Sequence, residues 1–481
     1  MSAKAKYYLH AGIVLCFMLF FRFLPPFGPV TELGMQILGI FIGCLWGWIA
    51  TGNLIWPSIL GWIVLGVTTE YATVTSVLTS VFSNGTIILI IGLLLFAGVI
   101  SSCGLTVNMS HALVNARFAK GKPWVLSFMI LMASFWSSAL VSGIAGSLIC
   151  FEFVYSIAKQ IGYKNRDSWP AMMIAGIIFA ACIGGALMPY KQGVVASYGF
   201  LTSASNGALT YDYGQYLIFG IVFSVISMAL YLIGCKFFVK PDMKLFYDAR
   251  YELDDLPPLT DKQKFTAILL GLLVIILLIP SFLPKSWMLG KMFLSIGTSG
   301  LVFMVVALAL FMKGKDGSNY FSIAEISPSV SWDLIIMVGT ALTIGPALSS
   351  EGTGIRELFT GMLTPLCNGQ GAYVFTLVLV VGILIGTNFI NNAVMGAIFI
   401  PIVAVVYADL GVNPVAVVAL ISFASNVGML LPSASPLGAI LNANKKWISQ
   451  KQIIVQSVLC MLVTALTVAI CIPIANMVMS F

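Results

Sequence analysis

Charge is scarce in this chain. Asp, Glu, Lys and Arg together make up 9% of 481 residues, and histidine occurs only twice, at His10 and His111. Two scattered histidines exclude a histidine metal cluster. The nine cysteines lie mostly inside apolar runs and form no C-x-x-C pair, so they read as core filler, not metal ligands or disulfides. Without a His, Cys or Asp constellation, an intramembrane enzyme has no chemistry to draw on. No mid-span Asp or Glu stands out either, which argues against a carrier built on a buried titrating carboxylate. The net charge of +7 invites a nucleic-acid reading, which fails because the excess sits in connecting loops.

Apolar sequence fills the space that charge leaves. At 59% hydrophobic, the chain is no soluble domain. Span cores fall at Ala11–Leu24, Ile37–Leu65, Ile87–Ile100, Leu126–Leu140, Leu217–Ile233, Thr266–Ile279, Leu301–Phe311 and Leu334–Ile344. Lys4 and Lys6 open the chain like a signal peptide, yet no small-residue cleavage site follows, so the first span is expected to remain as an anchor. Basic residues cluster at Lys4/Lys6, Arg117/Lys120/Lys122, Lys159/Lys164/Arg166, Lys236–Lys264, Lys313/Lys315 and Lys445/Lys446/Lys451. Arg22, Lys285, Lys291 and Arg356 fall on the alternate connections. The positive-inside rule then places all six clusters and the N-terminus in the cytoplasm. With an odd number of spans, the C-terminus lies outside.

One long polar segment, Lys236–Lys264, carries Pro257–Pro258 and mixed charge, and has too few apolar residues to bury a core. It divides the chain into halves, each with an interrupted stretch. The first is SALVSGIAGSLICF followed by AGIIFAACIGGALMPYKQG; the second is TNFINNAVMGAIFIPI followed by ALISFASNVGMLLPSASPLG. Phe179-Ala-Ala aligns with Phe423-Ala-Ser, Gly184 with Gly428, and Lys191 with Ser435. The charge map puts both ends of the first hairpin in the cytoplasm and both ends of the second, near Leu366–Ala372 and Asp409, outside. That pattern predicts an inverted repeat of a re-entrant hairpin and a broken helix, the best sequence pointer to a transporter's binding site. Hairpin arms long enough to span leave two full spans per hairpin as the other reading. Asp167–Gly207 runs for about 40 residues, too long for one straight span of ~20. Gly184-Gly185 with Pro189, and Ser433, Ser435 and Pro436 in the second unit, supply the breaks. Tight glycine packing explains Gly184-Gly185 equally well.

Freed carbonyls suit a cation and half-helix N-termini suit an anion. Ser142-Gly143 and Asn391-Asn392 form the candidate tips, with Ser138 and Thr387 one turn earlier on the same face. The alternative use for such residues is interhelical hydrogen bonding. Lys191 is a charge inside apolar sequence, and charges there usually mark pathways or paired sites; otherwise its long stem snorkels to an interface. Glu152 and Asp333 border apolar segments and are expected at helix ends near the cytoplasm.

These residues resemble the divalent anion:sodium symporters. Ser138 and Ser142 before an apolar run, and Thr387 with Asn391-Asn392 before AVMGAIFIPI, are similar to that family's paired Ser-Asn-Thr tips. AGIIFAACIGG and MLLPSASPLGAI resemble its unwound fifth and tenth spans, and SWDLIIMVGTALTIGPAL its ninth. The resemblance implies a homodimer with a scaffold domain, a mobile transport domain holding both hairpins, elevator-type alternating access, and substrates among dicarboxylates, tricarboxylates or sulfate, usually with Na+. Solute contacts are expected at Ser142, Lys191, Asn391, Asn392, Ser435 and Pro436, with Lys191 among them because no carboxylate is repeated at the matching position to pair with it. Sodium contacts would come from Ser138 in the first unit and from Thr387, Ile390, Asn392 and Ala434 in the second. The chain departs from the family at Gly143 and Ile144, at Asn391 and Ala393, at Ser435-Pro436-Leu437-Gly438, and at Lys191, where the family tends to have a glycine whose carbonyl helps hold the first sodium. The first cation site is therefore the weaker of the two.

The expectation is an all-α polytopic membrane protein of the plasma membrane, with about 11 spans, two re-entrant hairpins, an inverted repeat, and scaffold and transport domains. Residues 1–118 and 265–366 form the scaffold, 119–235 and 367–481 the two transport units, and 236–264 a cytoplasmic linker. The expected function is elevator-type secondary transport of a small anion, sodium-coupled through at most one well-formed site. A sodium-independent anion exchanger and a proton-coupled transporter of the same superfamily are the alternatives. Partners are the anion, the bilayer and a second copy of the chain, with no nucleic acid.

Overall fold

The computed structural model describes residues 2–105, 108, 122–248, 258–284, 286–315, 317–350, 352–358, 361, 371–409 and 412–479. Among them the chain is helical, with one isolated bridge between Lys313 and Asn319 and no strand. Among the described residues, ten helices are long and apolar enough to cross a membrane, or up to eleven if the bent pair Ile323–Ser329 and Trp332–Leu348 is one span. The expected all-α, roughly eleven-span class is what the chain adopts.

The first helices are α1 (Ala3–Phe20), α2 (Glu32–Thr51), α3 (Ile55–Thr68), α4 (Val74–Ser83) and α5 (Gly85–Ser102). The run Ile37–Leu65, read from sequence as one core, is two helices. Gly52 leaves α2 in the left-handed region (φ +67°), and Asn53 Oδ1 accepts from the amides of Ile55 (3.0 Å) and Trp56 (3.3 Å) to start α3. Trp48 Nε1 then donates to Ser58 Oγ across the bend at 3.0 Å. α4 was not foreseen, because its Thr- and Ser-rich sequence has little hydropathy; a Thr73–Ser76 capping box starts it.

The first interrupted unit folds as α6 (Pro123–Leu140), α7 (Gly143–Ile161), α8 (Ser168–Gly185), α9 (Gln192–Ala204) and α10 (Tyr213–Gly234). Next come α11 (Asp261–Phe282), α12 (Met288–Phe311) and α13 (Trp332–Ser349). The second unit is α14 (Gly371–Gly386), α15 (Asn392–Asp409), α16 (Pro414–Ser425), α17 (Pro436–Ala443) and α18 (Gln450–Val478). Both broken helices are broken where the sequence indicated: α8 stops at Gly185 and α9 starts at Gln192, while α16 stops at Ser425 and α17 starts at Pro436. α6 and α7, at 18 and 19 residues, are each about 27 Å long, so length alone does not separate a re-entrant hairpin from two spans.

α8 lies at the centre, buried over 89% of its apolar window, whereas α1 is buried over only 11% and faces outward. Around α8 pack α6, α7, α10, α17 and α18; α14, α16 and α18 pack together, as do α10 and α18. A second group joins α1 to α2, α2 to α3, α3 and α4 to α13, and α5 and α11 to α12. α9 contacts both groups, touching α15 and α16 on one side and α5 and α13 on the other.

The polar linker is more anchored than its composition suggested. Phe246 is buried edge-on against Trp169, on which Tyr163 also stacks, and Tyr163 Oη donates to Asp242 O. At the far end Lys262 pairs with Glu325 at 2.8 Å. Asp333 sits in the first turn of α13, as its helix-end placement required. Glu152 does not sit at a helix end: it lies exposed in the middle of α7. Arg117, Lys120, His111, Lys285, residues 249–257 of the linker, Leu366–Gln370 and Gly411 lie outside the described residues, as do the boundaries drawn near 118 and 366.

Candidate functional site

The two units make the same bond in the same register. Ser138 Oγ, four residues before the first tip, donates to Ala181 O at 2.6 Å. Thr387 Oγ1, four residues before Asn391, contacts Ser425 O at 2.6 Å. Ala181 and Ser425 each lie two residues after the matching phenylalanines, Phe179 and Phe423. A buried hydroxyl in an apolar span needs such a partner, since leaving it unpaired costs roughly 1–3 kcal/mol. The halves also meet directly: Asn426 Nδ2 donates to Cys182 O, linking the end of α16 to the end of α8 at aligned positions.

Each tip and each break starts a helix. Ser142 Oγ accepts from Ala145 N (3.4 Å) to cap α7, and Asn391 Oδ1 accepts from Ala393 N (3.0 Å) near the start of α15. Lys191 occupies the cap position of α9, and Ser435 caps α17 through Gly438 N at 2.9 Å while donating to Gly428 O. Four helix N-termini and the carbonyl ends of α6, α8, α14 and α16 thus belong to one set of tips and breaks. N-termini carry partial positive charge and C-termini partial negative, so such a set offers places to both signs of ion.

A cavity of about 110 Å³ lies where α8, α9, α15 and α16 meet, lined by Gly185, Gly193, Ser197, Asn392, Ser425 and Asn426 among others. Of the residues expected to touch solute, only Asn392 lines it. Ser142 and Asn391 act as caps, and Ser435 folds onto the break. Pro436 is exposed at the first turn of α17, and Leu437 beside it lies near Gly143 of the first tip. Lys191 lines a separate pocket of about 30 Å³ with Val141, Tyr190 and Gln192, and its Nζ donates to Val141 O at 3.1 Å.

The expected cation residues divide between the units. Thr387, Asn392 and Ala434 converge around Gly428, where an added Cβ would stand 2.5 Å from Asn392 Oδ1, 2.9 Å from Thr387 O and 3.4 Å from Ala434 Cβ. Ile390 closes that tip through its amide on Gly386 O at 3.0 Å. Thr387 Oγ1 stands 2.7 Å from Asn392 Oδ1 and 2.6 Å from Ser425 O. One hydroxyl proton serves one of those two oxygens, so a hard cation or an inverted Asn392 amide must satisfy the other. These oxygens are the donor type that a sodium ion takes. In the first unit Ser138 already has Ala181, and the tip carbonyl of Val141 already has an ammonium.

Two organising residues were not singled out from sequence. Asn388 is fully buried; its Nδ2 donates to Leu384 O (2.8 Å) and Val427 O (3.1 Å), and its Oδ1 accepts from the amides of Met429 and Leu430. Asn426 bridges the halves as described above. Both are amides in apolar sequence directly beside the tip and the FAS alignment, which is the signal that marked them.

The sequence model of a family described as "Citrate transporter" matches residues 41–394, most of the chain. The chain belongs to this family, and with it to the divalent anion:sodium symporters of the ion transporter superfamily. It is 22% identical over 450 residues to a sodium-dependent dicarboxylate transporter, SdcS, of Staphylococcus saprophyticus, covering 89% of this chain and 84% of that one. An uncharacterized transporter of Haemophilus influenzae is also 22% identical, with 89% of each chain covered. Among solved structures, the YdaH transporter of Alcanivorax borkumensis (TM-score 0.58, 15% identity, 83% of this chain and 87% of that one) shares the fold. So does MtrF of Neisseria gonorrhoeae (TM-score 0.58, 12% identity, 97% and 94%). The relatives are transporters, and the coarse function follows: a multi-pass membrane protein that transports a small anion.

Proposed function

We propose that the chain is a secondary active carrier of a di- or tricarboxylate, coupled to sodium through the second unit and working by an elevator movement in the plasma membrane as a homodimer. The observation that carries this reading is the matched pair of bonds, Ser138 to Ala181 and Thr387 to Ser425, which ties each tip to its own broken helix at the same register. It supports an inverted repeat whose hairpins and breaks share one solute site. The two packing groups, joined chiefly through α9, support a transport domain (119–235 and 367–481) moving against a scaffold (1–118 and 265–366). The Thr, Ser and Asn lining of a crevice of about 1010 Å³ between α9 and helices α4, α5, α12 and α13 supports an entry route. By the charge map, it opens on the side away from the basic loops.

Asn392 and Asn426 supply amide donors in the cavity, and the N-termini of α7, α9, α15 and α17 add partial positive charge toward carboxylates. Asn391, Ser142, Ser435 and Pro436 hold those helix starts in place. A sodium ion held by Thr387, Asn392 and backbone oxygens near Ile390 and Ala434 would neutralise one carboxylate charge.

The test is uptake of labelled succinate and citrate into proteoliposomes, with and without a sodium gradient. Saturable uptake that rises with sodium and falls at least ~10-fold in Asn392→Ala is expected, the loss of one good binding interaction of about 1.4 kcal/mol. Absence of uptake or exchange of either acid by the wild-type protein overturns the reading.

A further inference from the structure

We propose that the outward edge formed by α10 and α18 is a binding site for an anionic phospholipid. Its headgroup is held by Lys236, Lys240 and Lys451, and its acyl chains lie along the apolar stripes that end on those lysines. Nothing in this site depends on which solute is carried.

α10 and α18 pack antiparallel in a fixed register. Ser227 Oγ donates to Thr467 Oγ1 at 3.3 Å, and Gly234 packs on Leu459, whose Cδ1 would stand 3.1 Å from an added Cβ. Continuing that register brings Lys240 level with Ile453, two residues from Lys451. Each helix presents exposed apolar side chains at helical spacing: Ile221, Val225 and Ile233 on α10, and Leu462, Val458 and Ile454 on α18. Three residues past Ile233 comes Lys236, and three before Ile454 comes Lys451, both exposed. The two stripes therefore end on ammonium groups at the same end of the helix pair.

α10 closes in a π-helical turn, Cys235–Val239, with Lys240 N donating to Cys235 O at 2.9 Å. Such turns are rare and are frequent at functional sites. This one leaves two adjacent phenylalanines facing outward, Phe237 at 61% and Phe238 at 82% exposure, between Lys236 and Lys240. Exposed rings beside ammonium groups suit the boundary between acyl chains and headgroups, where the rings turn inward and the charges outward.

No protein carboxylate neutralises these lysines. Among the described residues the ion pairs involve Lys262, Lys264 and Lys315. Two acids of the adjoining loops are engaged with backbone: Asp242 Oδ1 accepts from Lys244 N (3.0 Å) and Asp167 Oδ2 from Lys164 N (2.8 Å). More positive charge is drawn in by a clamp between the α7–α8 and α17–α18 loops. Arg166 donates to Lys445 O at 2.8 and 3.2 Å, and its own carbonyl accepts from Gln452 Nε2 at 2.8 Å. The clamp persists although Arg166 has a φ of +70°, a conformation that a side chain disfavours. It sets Lys164 and Lys446 at the same end of the molecule as Lys451. The positive-inside rule assigns that end to the cytoplasm, where the leaflet is anionic. A soluble polyanion would meet the lysines and leave the stripes bare; a phospholipid meets both.

The test reconstitutes the full chain in phosphatidylcholine vesicles doped with phosphatidylglycerol that carries a photoactivatable group in one acyl chain. Adducts are mapped by peptide mass spectrometry and expected within residues 233–240 and 451–458. Photoactivatable phosphatidylcholine at the same mole fraction should label these peptides at least ~10-fold less. A lysine near an anionic surface is worth about fivefold in affinity, so Lys236→Gln, Lys240→Gln and Lys451→Gln combined should raise the half-saturating fraction of phosphatidylglycerol at least ~10-fold. The same three positions changed to Arg should stay within a few-fold of wild type. Equal labelling of wild type by the two lipids, adducts confined to other peptides, or an unaltered half-saturation in the folded Gln variant overturns the proposal. Displacement of the labelled lipid by millimolar glycerol phosphate overturns it too, because the site then takes a free phosphate and not a lipid. Should the Gln variant not fold, the comparison of the two lipids on wild type decides alone.

Discussion

The two interrupted units share a backbone plan and differ in what they do with it. In the first, Ser138 is satisfied by Ala181, and Val141 O is satisfied by Lys191. In the second, Thr387 faces two oxygens with one proton, and Asn388 makes four bonds, three of which hold the tip to residues 427–430. The first unit is closed by its own side chains; the second is rigid around an electron-rich centre. Under the proposed function, matched geometry with unmatched charge leaves the sodium ion to the second unit.

Matched glycines break the comparison most sharply. An added Cβ at Gly184 would lie 2.2 Å from Phe135 O, a backbone atom of the tightly packed α6, which has no room to yield. Gly184→Ala should therefore cost at least about 3 kcal/mol and abolish folded, monodisperse protein on size exclusion. At the aligned Gly428 the nearest atom is Asn392 Oδ1 at 2.5 Å, the end of a side chain, and the nearest backbone atom, Thr387 O, is farther off at 2.9 Å. Gly428→Ala should fold, with sodium-dependent uptake reduced at least ~10-fold because the amide is pushed from the cradle. Equal yields and equal transport from the two variants would erase the distinction between a packing glycine and a site glycine.

The hydroxyls sharpen it at smaller scale. Thr387→Val removes an oxygen from the cradle and should raise the sodium concentration for half-maximal uptake several-fold. Ser138→Ala removes one buried bond of about 1 kcal/mol and should lower the melting temperature while leaving the sodium midpoint within two-fold. A sodium midpoint that moves equally in both variants would show that the first unit also binds the ion.

Much of this was legible in the chain. Hydropathy and loop charge located the spans, and Gly184-Gly185 and Pro436 marked the breaks, because proline and glycine act on the backbone locally. The division of Ile37–Leu65 into two helices was carried by Gly52-Asn53, a cap signal hidden inside an apolar run. α4 escaped because its stability comes from capping and packing on α3 and α13, not from hydropathy. Asn388 and Asn426 were visible as amides in apolar sequence, but their partners lie up to 244 residues away, and only the fold brings those together. The same limit applied to Lys191: sequence showed a charge in apolar surroundings, while its placement beside the cavity between α8, α9, α15 and α16 and not inside it required the packing of α5 and α11.

The central claim is that solute and sodium meet at the second tip, so the two should be thermodynamically linked. The direct measurement is the calorimetric Kd of succinate for the purified protein as a function of sodium, in wild type and in Asn392→Ala. The account predicts a wild-type affinity that rises with sodium with a slope near one, reciprocated by tighter sodium binding in succinate. Asn392→Ala should bind succinate at least ~10-fold more weakly and lose most of that slope. A wild-type Kd independent of sodium, or a folded Asn392→Ala protein with the wild-type Kd and slope, would contradict it.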